Sequence, residues 1–191
     1  DIQVLQIATR AMNVGESLGD VDLTTKLSAE HAGEYTFYTF DDAGNKLEHH
    51  FKVVEGDTLQ GVLNKISQAS DGNVRAFFDE SANRVVLEAT RTGSYNDAGA
   101  EITFEDNQLF AFLGLSEENE TGGENARFIY NNGLTIESRE NTHTLNGISF
   151  EFHHTTTENA RISVQTDVEQ SFDKIMNFIE KYNDVMDLMN K

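Results

Sequence analysis

The sequence predicts an α+β fold that is mainly antiparallel β-structure and ends in an amphipathic helix. Three observations support this class. Short segments with alternating polar and apolar residues recur along the chain, separated by turn sequences. Before residue 169, only two short segments have helical periodicity. Hydrophobic residues make up 38% of the chain and cysteine is absent, which favours small cores without disulfides.

The first half of the chain predicts a strand, a loop, a helix and two hairpins. Residues 1–9 have strand composition, and a glycine- and aspartate-containing loop follows. The helix is expected to begin at Asp57, because Asp57 and Gln60 have capping-box spacing, and to end at Asp71-Gly72. The hairpins are expected at 34–54, turning at 41–45, and at 73–89, turning at 80–83.

The second half predicts a short strand, a short helix and a further set of strands. A strand near Ile102 precedes a short buried helix that opens at Asp106 or Asn107 and stops at Gly114. Residues 116–125 have the composition of a linker. The later strands are expected at 127–131, 134–137, 144–154 and 160–166.

This order of elements predicts two small β-rich domains, one inserted in the other. The first strand and the strand at 160–166 both adjoin the helical part of the chain, so we expect them to lie side by side. Residues 1–16 and 124–168 would then form a discontinuous β domain. Residues 17–123 would form the inserted β-rich domain, and 169–191 would be part of a separate helical domain.

The C-terminal segment carries a regular apolar stripe, which we call the helix-partner seam. Its six residues have the a/d spacing of a coiled coil: Phe172, Ile175, Ile179, Tyr182, Met186 and Met189. Met176 and Val185 widen the stripe. We expect the seam to pair with a helix outside this sequence or with a second copy. The alternative is a helix that folds back on its own β domain as a lid.

The charge pattern limits the classes of partner. With 14 basic and 33 acidic side chains, the net charge is -19, which disfavours nucleic acid and anionic membranes. Residues 92–126 contain no Lys, Arg or His, while eight aspartates and glutamates of the chain fall there: Asp97, Glu101, Glu105, Asp106, Glu117, Glu118, Glu120 and Glu124. This acidic segment is either a solvated surface, a divalent-cation site or a contact for a basic partner.

No constellation of side chains predicts catalysis, a metal site or a cofactor. Neighbouring strand residues point to opposite faces, so neither His49-His50 nor His153-His154 can chelate one ion. A calcium loop starting at Asp41 would need a glutamate where Lys52 stands. Ser149 lacks the second glycine of a nucleophile elbow. We therefore expect a protein that is not an enzyme and has no cofactor.

Several segments resemble one family in order and spacing. The run TLQGVLNKISQAS and the later NRVVLEATRTGSYN resemble a helix-then-strand module of bacterial flagellar filament cap proteins, the hook-associated protein 2 family. ENARFIYNNGLTIESRENTHTLNGISFEF resembles the later β segment of that family. The segment from Ile162 to Lys191 resembles its return into a helical stalk domain, and DIQVLQIATRAM resembles the strand that leaves the N-terminal stalk helix.

The resemblance implies a structural and assembly function. It implies the β-domain plate of a filament cap that retains flagellin at the tip and promotes its folding and polymerisation. The implied protein is secreted, lies outside the cell at the flagellum tip, and forms a ring-like homo-oligomer. Flagellin and an export chaperone are its implied partners. A host surface glycan is a further implied partner, because some family members act in adhesion to host surfaces. The chain would be a central fragment without the terminal arms and the N-terminal stalk helix.

Two alternative functions remain open at this point. One is another axial flagellar protein, either a hook–filament junction protein or the outer domains of a flagellin. The other is an extracellular adhesin or carbohydrate-binding module, in which Tyr35, Tyr38 and Tyr95 could stack on sugars. A hydrolase is disfavoured because no catalytic arrangement of residues is found.

Overall fold

Strands dominate the described part of the chain. The computed structural model describes residues 1–105, 107–163 and 168–189, without the side chains of 168–171, 173 and 187–189. The strands are β1 (Ile2–Gln6), β2 (Arg10–Ser17), β3 (Gly33–Phe40), β4 (Lys46–Val53), β5 (Val74–Asp79), β6 (Arg84–Thr92), β7 (Thr103–Phe104), β8 (Glu120–Thr121), β9 (Ala126–Tyr130), β10 (Leu134–Ser138), β11 (Thr142–Leu145) and β12 (Ile148–Glu151). The helices are α1 (Leu59–Ala69), α2 (Gln108–Phe112) and α3 (Val168–Met189), with 3-10 turns at Ala29–His31 and Glu117–Asn119.

The described strands form antiparallel sheets, which confirms the predicted fold class. A four-stranded sheet has the order β5-β6-β2-β8, and a three-stranded sheet has the order β4-β3-β7. A second three-stranded sheet has the order β1-β9-β10, and β11 pairs with β12 in a two-stranded sheet. By contact density, residues 1–160 form one compact unit and residues 161–191 another.

The larger hydrophobic core forms around helix α1. Leu59, Val62, Leu63 and Ile66 are fully buried, as their i, i+3, i+4, i+7 spacing predicts. They share this core with residues of β3 to β6 and of α2, including Phe37, Val85, Leu87 and Leu109. The smaller core contains residues of β1 and β9 and of the segment after β12: Ile2, Val4, Phe128 and Phe152.

Ser67 of α1 and Ser70, which caps the C-terminus of that helix, bond to the outer edge of β5. The Ser70 hydroxyl accepts from the Val74 amide at 2.9 Å and donates to the Val74 carbonyl at 3.0 Å. The Ser67 hydroxyl accepts from the Ala76 amide at 2.8 Å. Because an unpaired strand edge offers its backbone groups to other chains, these hydroxyls satisfy groups that would otherwise template pairing.

Several element predictions were wrong in detail. The expected loop after residue 9 contains β2, which pairs with β6 and β8. The predicted linker contains β8, so part of 116–125 belongs to a sheet. Helix α1 begins after Thr58, whose hydroxyl accepts from the Gly61 amide, whereas Asp57 accepts from the Val54 amide and pairs with Lys65.

Other boundaries differ less. Asn107 caps α2 by accepting from the amides of Leu109 and Phe110, while Asp106 lies outside the described residues. The expected strand at 144–154 is a hairpin that turns at Asn146-Gly147, where φ is 50° and 79°. Of the expected strand at 160–166, Ala160 forms a bridge with Ile2, and residues 164–167 lie outside the described part.

The domain boundaries stay a prediction. Strand β2 begins within the segment assigned to the discontinuous domain but pairs with strands of the expected insertion. The reason is that β2 follows β1 after a short connection at residues 7–9 and enters a different sheet. No helix in the described residues has the length and apolar content that crossing a membrane would require.

Candidate functional site

The helix-partner seam lies on α3, and its described side chains are exposed. Phe172, Ile175 and Tyr182 expose 57 to 60% of their surface, and Ile179 and Met186 expose 44% and 39%. The Met189 side chain lies outside the described residues. Large apolar side chains in such a row are usually buried, because their contact with water is unfavourable. The role of the seam as a site for a partner helix stays a prediction.

The apolar surface of α3 is wider than the six seam positions. Phe178 is 70% exposed, and Met176 and Val185 are 48% and 53% exposed. At 100° per residue, Phe178 and Val185 lie on one flank of the seam and Met176 on the other. The predicted stripe included Met176 and Val185 but not Phe178, although none of these three residues is at an a or d position. The signal that could have identified Phe178 is a large aromatic residue directly before the seam residue Ile179.

A cluster around Tyr95 joins loops that border the two hydrophobic cores. The guanidinium carbons of Arg91 and Arg139 lie 3.9 and 4.3 Å from the centroid of the Tyr95 ring. Arg139 donates from Nε to the Ser94 carbonyl and from Nη1 to the Asp42 carbonyl, both at 2.8 Å. Arg91 donates from Nη1 to Asp42 Oδ1 at 2.8 Å. We call these residues the arginine–tyrosine joint.

The acidic segment contains a buried carboxylate, Glu101, and a half-buried one, Glu120, and both accept hydrogen bonds from backbone amides. Glu120 accepts from the amides of Glu101 and Ile102, at 2.5 and 3.0 Å. Glu101 accepts from the amides of Tyr95 and Asn96, at 2.8 and 3.0 Å. Burial raises the pKa of the Glu120 carboxyl, and the nearby charges of Glu101 and Glu117 act in the same direction. These two glutamates therefore stabilise the fold of the segment through hydrogen bonds to its backbone, and they are not simply solvated surface charges.

The His49-His50 pair lies as strand alternation predicts, whereas His153 and His154 follow β12 and are both exposed. His49 is buried and its Nε2 is 2.7 Å from the Thr39 hydroxyl, whereas the neighbouring His50 is exposed. Burial lowers the pKa of the His49 imidazole, so the neutral ring is favoured in the folded chain. The described residues contain no cluster of three or more His, Asp or Glu that could hold a metal ion.

The three tyrosines of the sugar-stacking hypothesis all have protein partners. The Tyr35 hydroxyl donates to the His31 carbonyl at 2.8 Å, and the ring packs on the larger core. The Tyr38 hydroxyl donates to Glu105 at 3.0 Å, and Lys46 Nζ lies 4.6 Å from the ring centroid. Tyr95 belongs to the joint. These contacts give the carbohydrate-binding alternative no support.

Comparison with solved structures defines the class to which this fold belongs. The chain superimposes on the D1, D2 and D3 domains of the flagellar cap protein FliD from Escherichia coli with a TM-score of 0.72 and 19% identity, over 97% of this chain and 56% of that one. It also matches the D2 and D3 domains of FliD from Serratia marcescens with a TM-score of 0.63 and 17% identity, over 82% of this chain and 86% of that one. The fold is that of flagellar cap proteins.

Sequence comparison gives the same result. Residues 123–191 match the family described as the C-terminus of flagellar hook-associated protein 2. Flagellar hook-associated protein 2 of Halalkalibacterium halodurans is 26% identical over 95% of this chain and 40% of its own length. The Thermotoga maritima protein of the same name is 28% identical over 88% of this chain and 28% of its own length.

Sequence and structure comparisons therefore both find similarity to flagellar hook-associated protein 2, the flagellar cap protein, and the resemblance found in the sequence is confirmed. The chain spans less than half the length of each of these two relatives.

Proposed function

We propose that this chain forms the β-domain plate of a bacterial flagellar filament cap, which retains flagellin at the tip and promotes its folding and polymerisation. The observation that carries the proposal is the match of 95% of the chain to a flagellar hook-associated protein 2. The two β cores supply the plate, and α3 supplies the attachment to a helical stalk. The proposal includes no catalytic step and no cofactor.

The proposed helix attachment rests on α3. The share of this chain that is superimposed rises from 82% with the D2 and D3 domains of the E. coli protein to 97% when D1 is included. This supports the assignment of the C-terminal helix to the stalk domain. The exposed seam is then the surface that pairs with a second helix of that domain, because burial of five large apolar side chains stabilises the pair.

The proposed location and partners follow from the proposed role. The protein is secreted and acts outside the cell at the flagellum tip, as a ring-like homo-oligomer that contacts flagellin. An export chaperone is expected for the full-length protein. The large negative charge of the chain keeps it away from nucleic acid and anionic lipid.

Deletion of the gene in the source bacterium tests the proposal. Cells that lack the protein should release flagellin into the medium and carry short filaments or none. The full-length protein should restore filaments, whereas a version with Ile179→Asp in the seam should restore fewer. The matched control is Asn177→Asp, which places the same charge on the polar side of α3. Filaments of normal length in the deletion strain would contradict the proposed function.

A further inference from the structure

Two asparagines of this chain are followed directly by glycine, and each pair lies in a turn between antiparallel strands. Asn132-Gly133 connects β9 to β10, and Asn146-Gly147 connects β11 to β12. Asn132 and Asn146 have φ of 57° and 50°, and both are exposed. The pair suits such left-handed turns, but it is also chemically labile, because glycine has no Cβ to shield its backbone nitrogen.

The reaction to which this pair is prone is deamidation. The glycine nitrogen bonds to the asparagine Cγ, the bond from Cγ to the side-chain nitrogen breaks, and that nitrogen leaves with the glycine proton as ammonia. The product is a cyclic succinimide, and water opens it at either carbonyl to give aspartate or isoaspartate. Both products add a negative charge, and isoaspartate also adds a methylene to the backbone.

The geometry of a left-handed turn makes this attack depend on local opening. In the left-handed region ψ is about +47°, which directs the nitrogen of the following residue away from the Cβ. The glycine nitrogen therefore reaches Cγ only after the turn opens and ψ changes. The two asparagines should consequently differ in rate by as much as their turns differ in how often they open.

The turn at Asn132 is held closed by several contacts. The Gly133 amide donates to the Tyr130 carbonyl at 3.2 Å, so its nitrogen is engaged in the turn. The Asn132 side chain is also held, since its Oδ1 accepts from Asn159 Nδ2 at 2.6 Å. In addition, β9 lies between β1 and β10 in a three-stranded sheet, which supports the strands that flank this turn.

The turn at Asn146 lacks such contacts. In the described part of the chain, no hydrogen bond involves the Asn146 side chain or the Gly147 amide. β11 and β12 form a sheet of two strands with four residue pairs. Nothing lies within 4 Å of the position that a Cβ of Gly147 would take. Because a two-stranded hairpin is only marginally stable, this turn opens more often than the turn at Asn132.

We propose that Asn146 is a site of spontaneous deamidation and that the fold protects Asn132 from the same reaction. The inference is independent of the proposed function, since it rests on the two turns alone. It adds a modification site at the tip of the β11–β12 hairpin.

Isoaspartate at position 146 should open the hairpin. The turn has only two residues between the paired Leu145 and Ile148, so a longer backbone there disturbs their pairing. The hairpin also covers the smaller core. Phe150 packs against that core, and the His143 ring centroid lies 5.1 Å from that of Phe128. Deamidation at the turn therefore loosens the cover of the smaller core.

Peptide mapping by mass spectrometry tests the site on the full-length protein. Folded protein is kept in mildly alkaline buffer, and each asparagine is followed by the mass increase of about 1 Da that deamidation gives. Asn146 should react about tenfold faster than Asn132. The control is the same protein in concentrated urea, where the two rates should agree within about twofold because glycine follows both asparagines.

Two results of this mapping would overturn the proposal. One is a reaction at Asn132 that is as fast as that at Asn146 in the folded protein. The other is a preference for Asn146 that persists in urea, since the local sequence and not the fold would then be its cause.

Hydrogen exchange tests the structural consequence. Aged protein that contains isoaspartate is compared with freshly prepared Asn146→Asp, which has the same charge and a backbone of normal length. The amides of residues 142–151 should exchange at least about tenfold faster in the aged protein than in Asn146→Asp. Equal exchange in the two would overturn the opening of the hairpin.

Discussion

Arg139 lies over the ring of Tyr95, with 4.3 Å between its guanidinium carbon and the ring centroid. Arg139 follows β10, which borders the smaller core, and Tyr95 follows β6, which borders the larger core. Gly93 stands directly beside Arg139, since a Cβ at Gly93 would lie 2.5 Å from the Cβ of Arg139. The joint therefore fixes the two β regions to each other through tightly packed loops.

Arg139→Ala should destabilise the chain by about 2 kcal/mol, because it removes two charge-assisted hydrogen bonds and a cation–π contact. Arg139→Lys should recover only part of this loss, since an ammonium group cannot reproduce the guanidinium fork. Urea unfolding measures both variants. Arg127→Ala is the control, because Arg127 is exposed on β9. Equal stability of the Arg139 and Arg127 variants would exclude the joint as a stabilising contact.

Ser70→Ala should cost about 1–3 kcal/mol of unfolding free energy. The change leaves the amide and the carbonyl of the buried Val74 without their side-chain partner. The control is Ser17→Ala, which removes an exposed hydroxyl and should be neutral within about 0.5 kcal/mol. An unchanged midpoint for Ser70→Ala in urea would show that the hydroxyl does not protect the edge of β5.

Gly122→Ala should be strongly destabilising, by about 2 kcal/mol or more. Gly122 has φ of 84°, and an added Cβ would lie 2.2 Å from the Arg10 carbonyl oxygen, so β8 could not approach β2. Gly99→Ala is the matched control, because nothing lies within 4 Å of its Cβ position. Thermal unfolding of the two variants checks this, and similar midpoints would contradict the close approach.

His49 should make the fold less stable in mild acid. Its folded-state pKa is lowered by burial, so its contribution is present above the usual value near 6.5 and is lost as the pH falls toward the folded value. Unfolding in urea between about pH 7.5 and 5.5 should show a steeper loss for the unaltered chain than for His49→Gln.

The contribution of Glu120 to folding stability changes with pH in the opposite direction to that of His49. Burial raises its folded-state pKa, so its contribution is present below the usual value of 4.5 and is lost as the pH rises through the folded value. Since Glu120 is the same in every histidine variant, its contribution cancels when the slopes are compared. A slope for His49→Gln equal to that of the unaltered chain would exclude His49 as the titrating group.

The sequence predicted the elements whose pattern is local. Hairpin β3–β4 alternates apolar and polar residues around a five-residue turn, and α1 repeats its apolar residues at helical spacing. Strand β2 was missed because its buried polar residue, Asn13, finds its partner far away in the sequence: Asn13 Nδ2 donates to the Ser116 carbonyl at 2.7 Å. Strand β8 has two residues and therefore no detectable period.

The candidate sites divide in the same way. The helix-partner seam could be predicted because its a/d spacing is a local pattern within one continuous helix. The arginine–tyrosine joint could not, because Asp42, Tyr95 and Arg139 come together only after three separate loops have folded.

Hydrogen exchange of α3 tests most directly whether the apolar stripe pairs with a second helix. The backbone amides of residues 172–186 are compared between this chain alone and the full-length protein, with Ile179→Asp as the variant and Asn177→Asp as its control. Pairing predicts exchange at least about tenfold slower in the full-length protein, with the protection lost in Ile179→Asp and kept in Asn177→Asp. Equal exchange of these amides in the two proteins would contradict the central claim.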